Sequence, residues 1–316
     1  MSYKILHVKG YSEEANYTYR RKKLNDYLIE KYGKENVTSF CILDDDISIV
    51  KQDFDFIVIS TVRYLIPVVA NINKNIHIFY DRTDRWSALE IPSIDNPDIL
   101  NPEAEQMEQW LFENSKHIFV SSSTLIDDIP EQYKEKVTYI SNGCKLLPYE
   151  PIEKFEKPTV AIVGRLFKKI DMKYIIRLAL TNDNYDFNFY GFLDEKPYEV
   201  SAFNLSNLHF IERLSEEDLH KELCKCHLGL VSFIESDWTS GMLPLKLFNY
   251  ANAHIPTLYH NCPSINDYYK DIAIKDSEIE TLDDVFKREY SYDKILAESD
   301  WTTKFNKMTE IIESNL

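Results

Sequence analysis

Residues 147–165 read Leu147-Pro-Tyr-Glu-Pro151-Ile-Glu-Lys-Phe-Glu-Lys-Pro158-Thr159-Val-Ala-Ile-Val163-Gly164-Arg165, and the organisation of the chain turns on this stretch. Pro148, Pro151 and Pro158 among charged residues make a connector that neither a helix interior nor an inner strand accommodates. Thr159–Val163 then forms a short apolar, β-branched run of the kind buried in parallel sheets, and Gly164 lets the chain leave it sharply. A strand restarting after such a connector predicts two domains, residues 1–147 and 148–299. At 316 residues each domain is long enough for its own core.

Outward from this point the pattern alternates on both sides. Toward the N-terminus strands are expected at Lys4–Val8, Val37–Cys41, Phe54–Ser60, Ile76–Tyr80, His117–Val120 and Val137–Ile140, with helices at Glu13–Tyr32 and Pro102–Asn114. Toward the C-terminus strands follow at Phe187–Tyr190, Leu208–Ile211, Leu228–Phe233 and Thr257–Tyr259. Helices are expected at Asp171–Leu180, after the capping box Ser215-x-x-Asp218, and from Pro244. Strands alternating with helices mean parallel sheets, so the predicted class is α/β with two Rossmann-like domains facing an interdomain cleft. The last segment, 300–316, places Trp301, Phe305, Met308 and Ile312 on one helical face and is expected to pack back on the N-terminal domain.

Composition removes several functions. The chain has seven glycines, far below the roughly 7% of ordinary proteins, and holds no G-x-G-x-x-G, no P-loop and no G-x-S-x-G. A net charge of −16 argues against nucleic acid as a partner. No secretory signal or spanning apolar run is evident, so a cytoplasmic protein is expected. The five cysteines lack zinc-ligand spacing and read as free structural thiols. Arg20-Arg21-Lys22-Lys23 is the densest basic run, and it reads either as a solvated helix face or as a docking patch. The patch would serve phosphate-bearing acceptors or the anionic inner face of a cell membrane, a peripheral contact.

Open parallel sheets bind ligands beyond the carboxyl ends of their strands. Gly10 follows the first strand, and Asp81-Arg82-Thr83-Asp84-Arg85-Trp86 follows the fourth. A carboxylate there can deprotonate a hydroxyl, while Arg85 could meet an acceptor or pair with the aspartates. In the second half Gly164-Arg165 is followed by Lys168 and Lys169. Thr239-Ser240-Gly241-Met242-Leu243-Pro244 leads into a helix carrying Lys246 and Asn249. Cations and free N–H groups gathered at such a place suit a diphosphate. Gly229 falls inside a strand with no turn or ligand to require it.

The ordered set Tyr80-Asp81-x-x-Asp84-x-Trp86, Ile118-Phe-Val-Ser-Ser122, Tyr139-Ile-Ser-Asn-Gly143, Ala161-Ile-Val-Gly-Arg165, Ile170-Asp171, Phe189-Tyr-Gly191, Leu208-His-Phe-Ile211 and Pro244-Leu-Lys246-Leu-Phe-Asn249-Tyr250-Ala251, closed by the Trp301 helix, resembles the GT-B glycosyltransferases. Nearest are family 4 and the transferases of teichuronic-acid, capsule and exopolysaccharide synthesis, and the resemblance covers nearly the whole chain. It implies a hexosyltransferase (EC 2.4) that moves a sugar, without metal or other cofactor, from a nucleotide-sugar. A UDP-sugar is the expected donor. The acceptor would be a hydroxyl of a glycan, glycoprotein or lipid-linked saccharide.

The same resemblance implies donor contacts by Gly164, Arg165, Lys169, Thr239, Ser240, Gly241, Met242, Lys246 and Asn249. Acceptor contacts would come from Gly10, Arg20, Arg21 and Arg85, with Asp81 as first and Asp84 as second choice of base. Gly241 and Asn249 stand where the E-x7-E pattern of family 4 has glutamates, and asparagine forgoes the charge-assisted bond to a ribose. That departure motivates an alternative, a non-catalytic relative that stabilises or targets a partner transferase. A two-lobed binding protein and a sugar-nucleotide epimerase share the paired domains. Asp44-Asp45-Asp46 instead resembles the metal motif of GT-A transferases, although too little chain precedes it for their nucleotide-binding half.

Overall fold

The computed structural model describes residues 3–10, 19–88, 101–164, 169–191 and 205–316, with backbone alone at 101 and 102. The chain divides into two compact units, Met1–Asn142 with Trp301–Leu316, and Gly143–Asp300.

The first unit is built on a six-stranded parallel sheet of β1 (Ile5–Lys9), β2 (Val37–Cys41), β3 (Phe56–Ile59), β4 (His77–Arg82), β5 (His117–Val120) and β6 (Val137–Tyr139), in the order β2-β1-β3-β4-β5-β6. Between the strands run α1 (Tyr19–Tyr32), α2 (Ile66–Asn71) and α3 (Asn101–Asn114). Residues 13–18 of the expected first helix lie outside the described residues. Every residue of β1 and β3 is buried, because a parallel sheet is covered on both faces. Leu6 and Val8 join Ile57, Ile59, Tyr80 and Val120 in the core cluster of this unit.

The basic run of α1 is divided between two faces. Arg20, Arg21, Leu24, Asn25 and Leu28 are buried, which is one helical face, so the first two arginines are turned inward at 5% and 4% exposure. Lys22 stays exposed. The closing helix α9 (Trp301–Ser314) lies along α1. Tyr27 and Phe305 rings meet at 5.6 Å, the Tyr27 hydroxyl donates to Asn306 at 2.6 Å, and Lys31 donates to Thr309 at 2.7 Å. Trp301, Phe305, Met308 and Ile312 are all buried, as their spacing predicts.

The second unit repeats the plan with β7 (Thr159–Val163), β8 (Asp186–Tyr190), β9 (Leu208–Ile211), β10 (Leu228–Ser232), β11 (Thr257–His260) and β12 (Ala273–Lys275), in the order β12-β11-β10-β7-β8-β9. Its helices are α4 (Met172–Thr181), α5 (Glu216–Lys225), the single turn α6 (Asp237–Ser240), α7 (Leu245–Asn252) and α8 (Asp293–Ala297). Ser215 caps α5 as its sequence predicts, accepting from the Asp218 N–H at 3.0 Å. Strand β12 and helices α6 and α8 were not expected, being too short to show a period.

All five cysteines are free and buried. Burial pushes the Cys41 and Cys262 thiols up to about 11 and Cys226 to about 12, so they are inert packing groups. The aspartates of the metal-like motif are local caps. Asp44 accepts from the Cys41 thiol, Asp45 from the Cys41 N–H and Asp46 from the Ser48 N–H. No helix among the described residues is long and apolar enough to cross a membrane.

Candidate functional site

In each sheet the chain reverses its direction of winding once. In the second unit β8 lies to one side of β7 and β10 to the other, and such switch points open a crevice at the strand ends. The ladder between β7 and β10 is brief, pairing Val160 with Leu228 and Ala161 with Gly229. Beyond it the Tyr250 hydroxyl from α7 takes over the ladder's bonds. It accepts from the Val163 N–H at 2.9 Å and lies 3.1 Å from Ala161 O and 3.2 Å from Leu230 O. A Cβ on Gly229 would sit 2.4 Å from the Tyr250 ring, which supplies the missing reason for a glycine inside that strand.

At the mouth of this opening two ammonium groups meet. A Cβ on Gly164 would lie 3.4 Å from Lys246 Nζ, so this glycine keeps the strand exit open beside the lysine. Lys246 and Lys169 both lie over the Phe233 ring, at 5.5 and 6.0 Å, and Lys169 also lies 5.2 Å from the Trp238 centroid. The Lys169 carbonyl accepts from the Ile234 N–H at 2.9 Å, which pins its backbone to the end of β10. Burial, and then the Lys169 charge, lower Lys246 from its ordinary value to about 7. Two like charges held together on aromatic faces make a site that gains when an anion arrives. Gly191 stands behind them at φ +154°, where a Cβ would be 1.7 Å from Gly164 O, so only glycine fits.

The remaining donor-side expectations separate. Asn249 is half-buried on α7, one turn beyond Lys246, and Met242 Sδ lies 3.9 Å from Lys169 Nζ. Thr239 is 1% exposed, and its hydroxyl donates to Ile234 O at 2.7 Å and accepts from the Ser236 N–H at 3.1 Å. Ser240 donates to Asp237 O at 2.7 Å. Both hydroxyls therefore build α6, a separate helical turn that Gly241 ends, rather than the mouth of α7. Arg165 and Lys168 lie outside the described residues. Phe233 and Trp238, which carry the two lysines, escaped the sequence reading because an aromatic beside a strand end reads as core.

In the first unit the winding reverses between β1 and β3, where Gly10 faces Thr61 so closely that a Cβ would lie 3.0 Å from its Oγ1. Asp81 is fully buried. Arg20 Nε donates to both of its oxygens at 3.1 Å, and Arg20 Nη2 adds a bond to Oδ1 at 2.9 Å. The same guanidinium donates at 3.0 Å to the carbonyls of Ile140 and Ser141. His7 joins behind, 3.1 Å from Ser60 Oγ and 3.3 Å from Asn25 Oδ1. Burial first, then Lys9 and Arg21, lower His7 to about 3, so it is neutral. A carboxylate with no exposed surface, bonded through both oxygens to a guanidinium, is poorly placed to take a proton from an acceptor. Arg20 is likewise a strut inside the unit, correcting its expected acceptor contact.

Asp84 differs. It is half-buried and accepts from Thr83 Oγ1 at 3.2 Å. Thr83 is in turn 3.5 Å from Arg21 Nη2, and the Arg21 guanidinium stands 5.1 Å from the Trp86 ring centroid. Arg63 stands 5.9 Å from the same ring. Arg85 forms a two-pronged pair with Asp128 at 2.7 and 2.8 Å, and Arg82 is buried against Glu108 at 2.7 Å, so neither pairs with Asp81 or Asp84 in the way composition allows.

No family model matches the sequence, and no curated protein matches it. Solved structures do. The chain is similar to Anabaena HepE in complex with UDP and glucose, at 12% identity and TM-score 0.67, over 99% of this chain and 100% of that one. It is similar to sucrose-phosphate synthase from Thermosynechococcus elongatus, at 9% identity and TM-score 0.75, over 98% of each chain. The apo lipopolysaccharide outer core galactosyltransferase WaaB matches at 13% identity and TM-score 0.67, over 99% of both. At these identities the likeness is one of architecture, and over almost its whole length this chain has the GT-B fold of glycosyltransferases.

Proposed function

We propose that the chain is a glycosyltransferase that moves a sugar from a nucleotide-sugar to a hydroxyl of a surface-glycan or glycoconjugate acceptor without a metal. The observation that carries this reading is the Lys169–Lys246 pair over Phe233, beside Gly164 at the switch point of the second sheet. Two ammonium groups at that point match the two charges of a diphosphate and stabilise the leaving nucleotide as its bond to the sugar breaks. A UDP-sugar is the donor we favour, since HepE was solved with UDP-glucose as well as with UDP and glucose. Asn249 would meet the ribose with a neutral side chain.

In the acceptor half we assign the base to Asp84 if transfer inverts the sugar carbon, and leave Asp81 a structural role. If transfer retains configuration, Lys246 and Lys169 carry the chemistry through the leaving group and Asp84 orients the acceptor. The test is calorimetric titration with UDP-, GDP- and dTDP-sugars, followed by hydrolysis and transfer assays with and without EDTA. Binding of one nucleotide series, lost in Lys246→Met, is the expected result. Absence of binding across the panel would remove the reading, and turnover that needs manganese would remove its metal-free form.

A further inference from the structure

The lysine pair over Phe233 stands on two pieces of chain, the end of β10 and the stretch Lys169–Asp171 ahead of α4, and His260 at the end of β11 touches both. Its carbonyl accepts from the Phe233 N–H at 3.2 Å, which fixes the residue beneath the two ammonium groups. Its ring lies between carboxylates of two other elements. Nδ1 is 2.6 Å from Asp276, just past β12, while Nε2 is 3.6 Å from Asp171 and 3.0 Å from the Asn261 amide. The ring is also stacked on Tyr174 of α4, with centroids 3.9 Å apart and planes 4° from parallel. The Tyr174 hydroxyl bonds Asp276 as well, and Arg177 of α4 stands 5.3 Å from the Tyr174 centroid. Asp171 connects this cluster to the pair. Its carboxylate caps α4 by accepting from the Tyr174 N–H at 2.9 Å, its carbonyl is 3.4 Å from Ser232 Oγ, and Lys169 lies two residues before it.

We propose that His260 is a positioning residue of the donor site: with a proton on each ring nitrogen it ties Asp171 to Asp276 and so holds the Lys169 ammonium beside Lys246. Resting on the glycosyltransferase reading, it acts on the donor diphosphate through Lys169 and does not touch it. An imidazolium suits this place for three reasons. A carboxylate faces each ring nitrogen, an aromatic face lies parallel to the ring, and the Asn261 amide can turn its oxygen toward an Nε2–H. A neutral ring would turn a lone pair toward one of the two carboxylates and loosen its hold on Asp171.

The test reads the place of Lys169 without any donor. Burial first and then the Lys169 charge lower Lys246 to about 7, so the titration of Lys246 senses whether its neighbour is in position. It is followed by carbon-13 lysine NMR on the full chain, with the Lys246 signal identified by its loss in Lys246→Met. His260→Asn sets an amide where Nδ1 was and reaches only Asp276, whereas His260→Gln sets one where Nε2 was and reaches Asp171. The Lys246 titration should therefore move up in His260→Asn and stay near its place in His260→Gln. Asp171→Asn keeps a good cap on α4 but loses the charge facing His260, and it should move Lys246 up as well. Circular dichroism melts confirm the fold of each variant. An unmoved Lys246 in folded His260→Asn and Asp171→Asn, or an equal displacement in His260→Gln and His260→Asn, overturns the proposal.

Nitrogen-15 spectra of His260 should show a proton on both ring nitrogens at about pH 6, and a ring with one proton there overturns the proposal too. Calorimetry with UDP-glucose then reads the consequence for the donor. His260→Asn should weaken binding about tenfold, as one misplaced charge-assisted contact would, and His260→Gln by less than about twofold. If UDP-glucose binds the unsubstituted chain while Lys246 ignores His260→Asn and Asp171→Asn, only the positioning role falls. If UDP-glucose does not bind while Lys246 follows the variants as expected, His260 still places Lys169 and the transferase reading falls.

Discussion

Asp81 and Asp84 leave the same strand and differ in everything that matters to a base. Asp81 is sealed against Arg20, and replacing it with asparagine leaves a buried guanidinium short of its partner. Asp81→Asn should therefore lower stability by about 3–5 kcal/mol, measured by urea denaturation. Asp84→Asn should move stability by less than ~0.5 kcal/mol yet cut inverting transfer by about 10²–10⁴-fold with donor affinity kept. Lys246 makes a pH prediction whose sign follows from its lowered value near 7. A bound diphosphate favours the charged lysine, so binding takes up a proton wherever the free site has lost it. Affinity for UDP-glucose should be flat below about pH 6 and fall above about pH 7, by up to tenfold per unit, until the bound-state value is passed. Calorimetry on the unsubstituted chain across pH checks this.

Among the elements, α7 carries more than its length suggests, since it delivers Lys246 to the mouth of the second sheet and Tyr250 into its seam. Tyr250→Phe leaves the half-buried Val163 N–H without that acceptor, and a loss of about 1–3 kcal/mol is expected on thermal or chemical unfolding. Gly229→Ala meets the same ring from the other side and should cost as much or more, about 1–3 kcal/mol of overpacking, with weaker donor binding as Lys246 shifts. The strands around this seam were legible because fully buried parallel strands write continuous β-branched runs. Ala273–Lys275 was not legible, since an edge strand of three residues has no period to read. The seam itself was invisible in sequence: Gly229 and Tyr250 lie far apart along the chain, and nothing local tells that one exists for the other. The inward turn of Arg20 and Arg21 was hidden for a related reason, because a basic run looks solvated until the buried carboxylate that meets it is known.

At the scale of the molecule, the two-sheet architecture was readable from alternation, while the sites were readable only in part; the proline-rich stretch expected as the connector lies inside the second unit, which begins at Gly143. Lys246 and Gly164 were found because cations and glycines at strand exits have a direct meaning. Phe233 and Trp238 were missed because their place beside the lysines depends on which side chain stands across from them. The division of the chain supplies a last prediction. Gly143–Asp300 is continuous and holds its own sheet and core, so expressed alone it should melt cooperatively. Met1–Asn142 expressed alone lacks α9 and should unfold more readily, because Leu24, Tyr27 and Leu28 of α1 lose the Phe305 face. Deletion of Trp301–Leu316, followed by circular dichroism, checks the second half of this statement. Since α9 belongs to the unit that is synthesised first, that unit cannot be completed until Trp301–Leu316 has been made. The early half must wait, with one helix face uncovered, while the later half emerges and folds, so the protein's order of synthesis is the reverse of its order of completion.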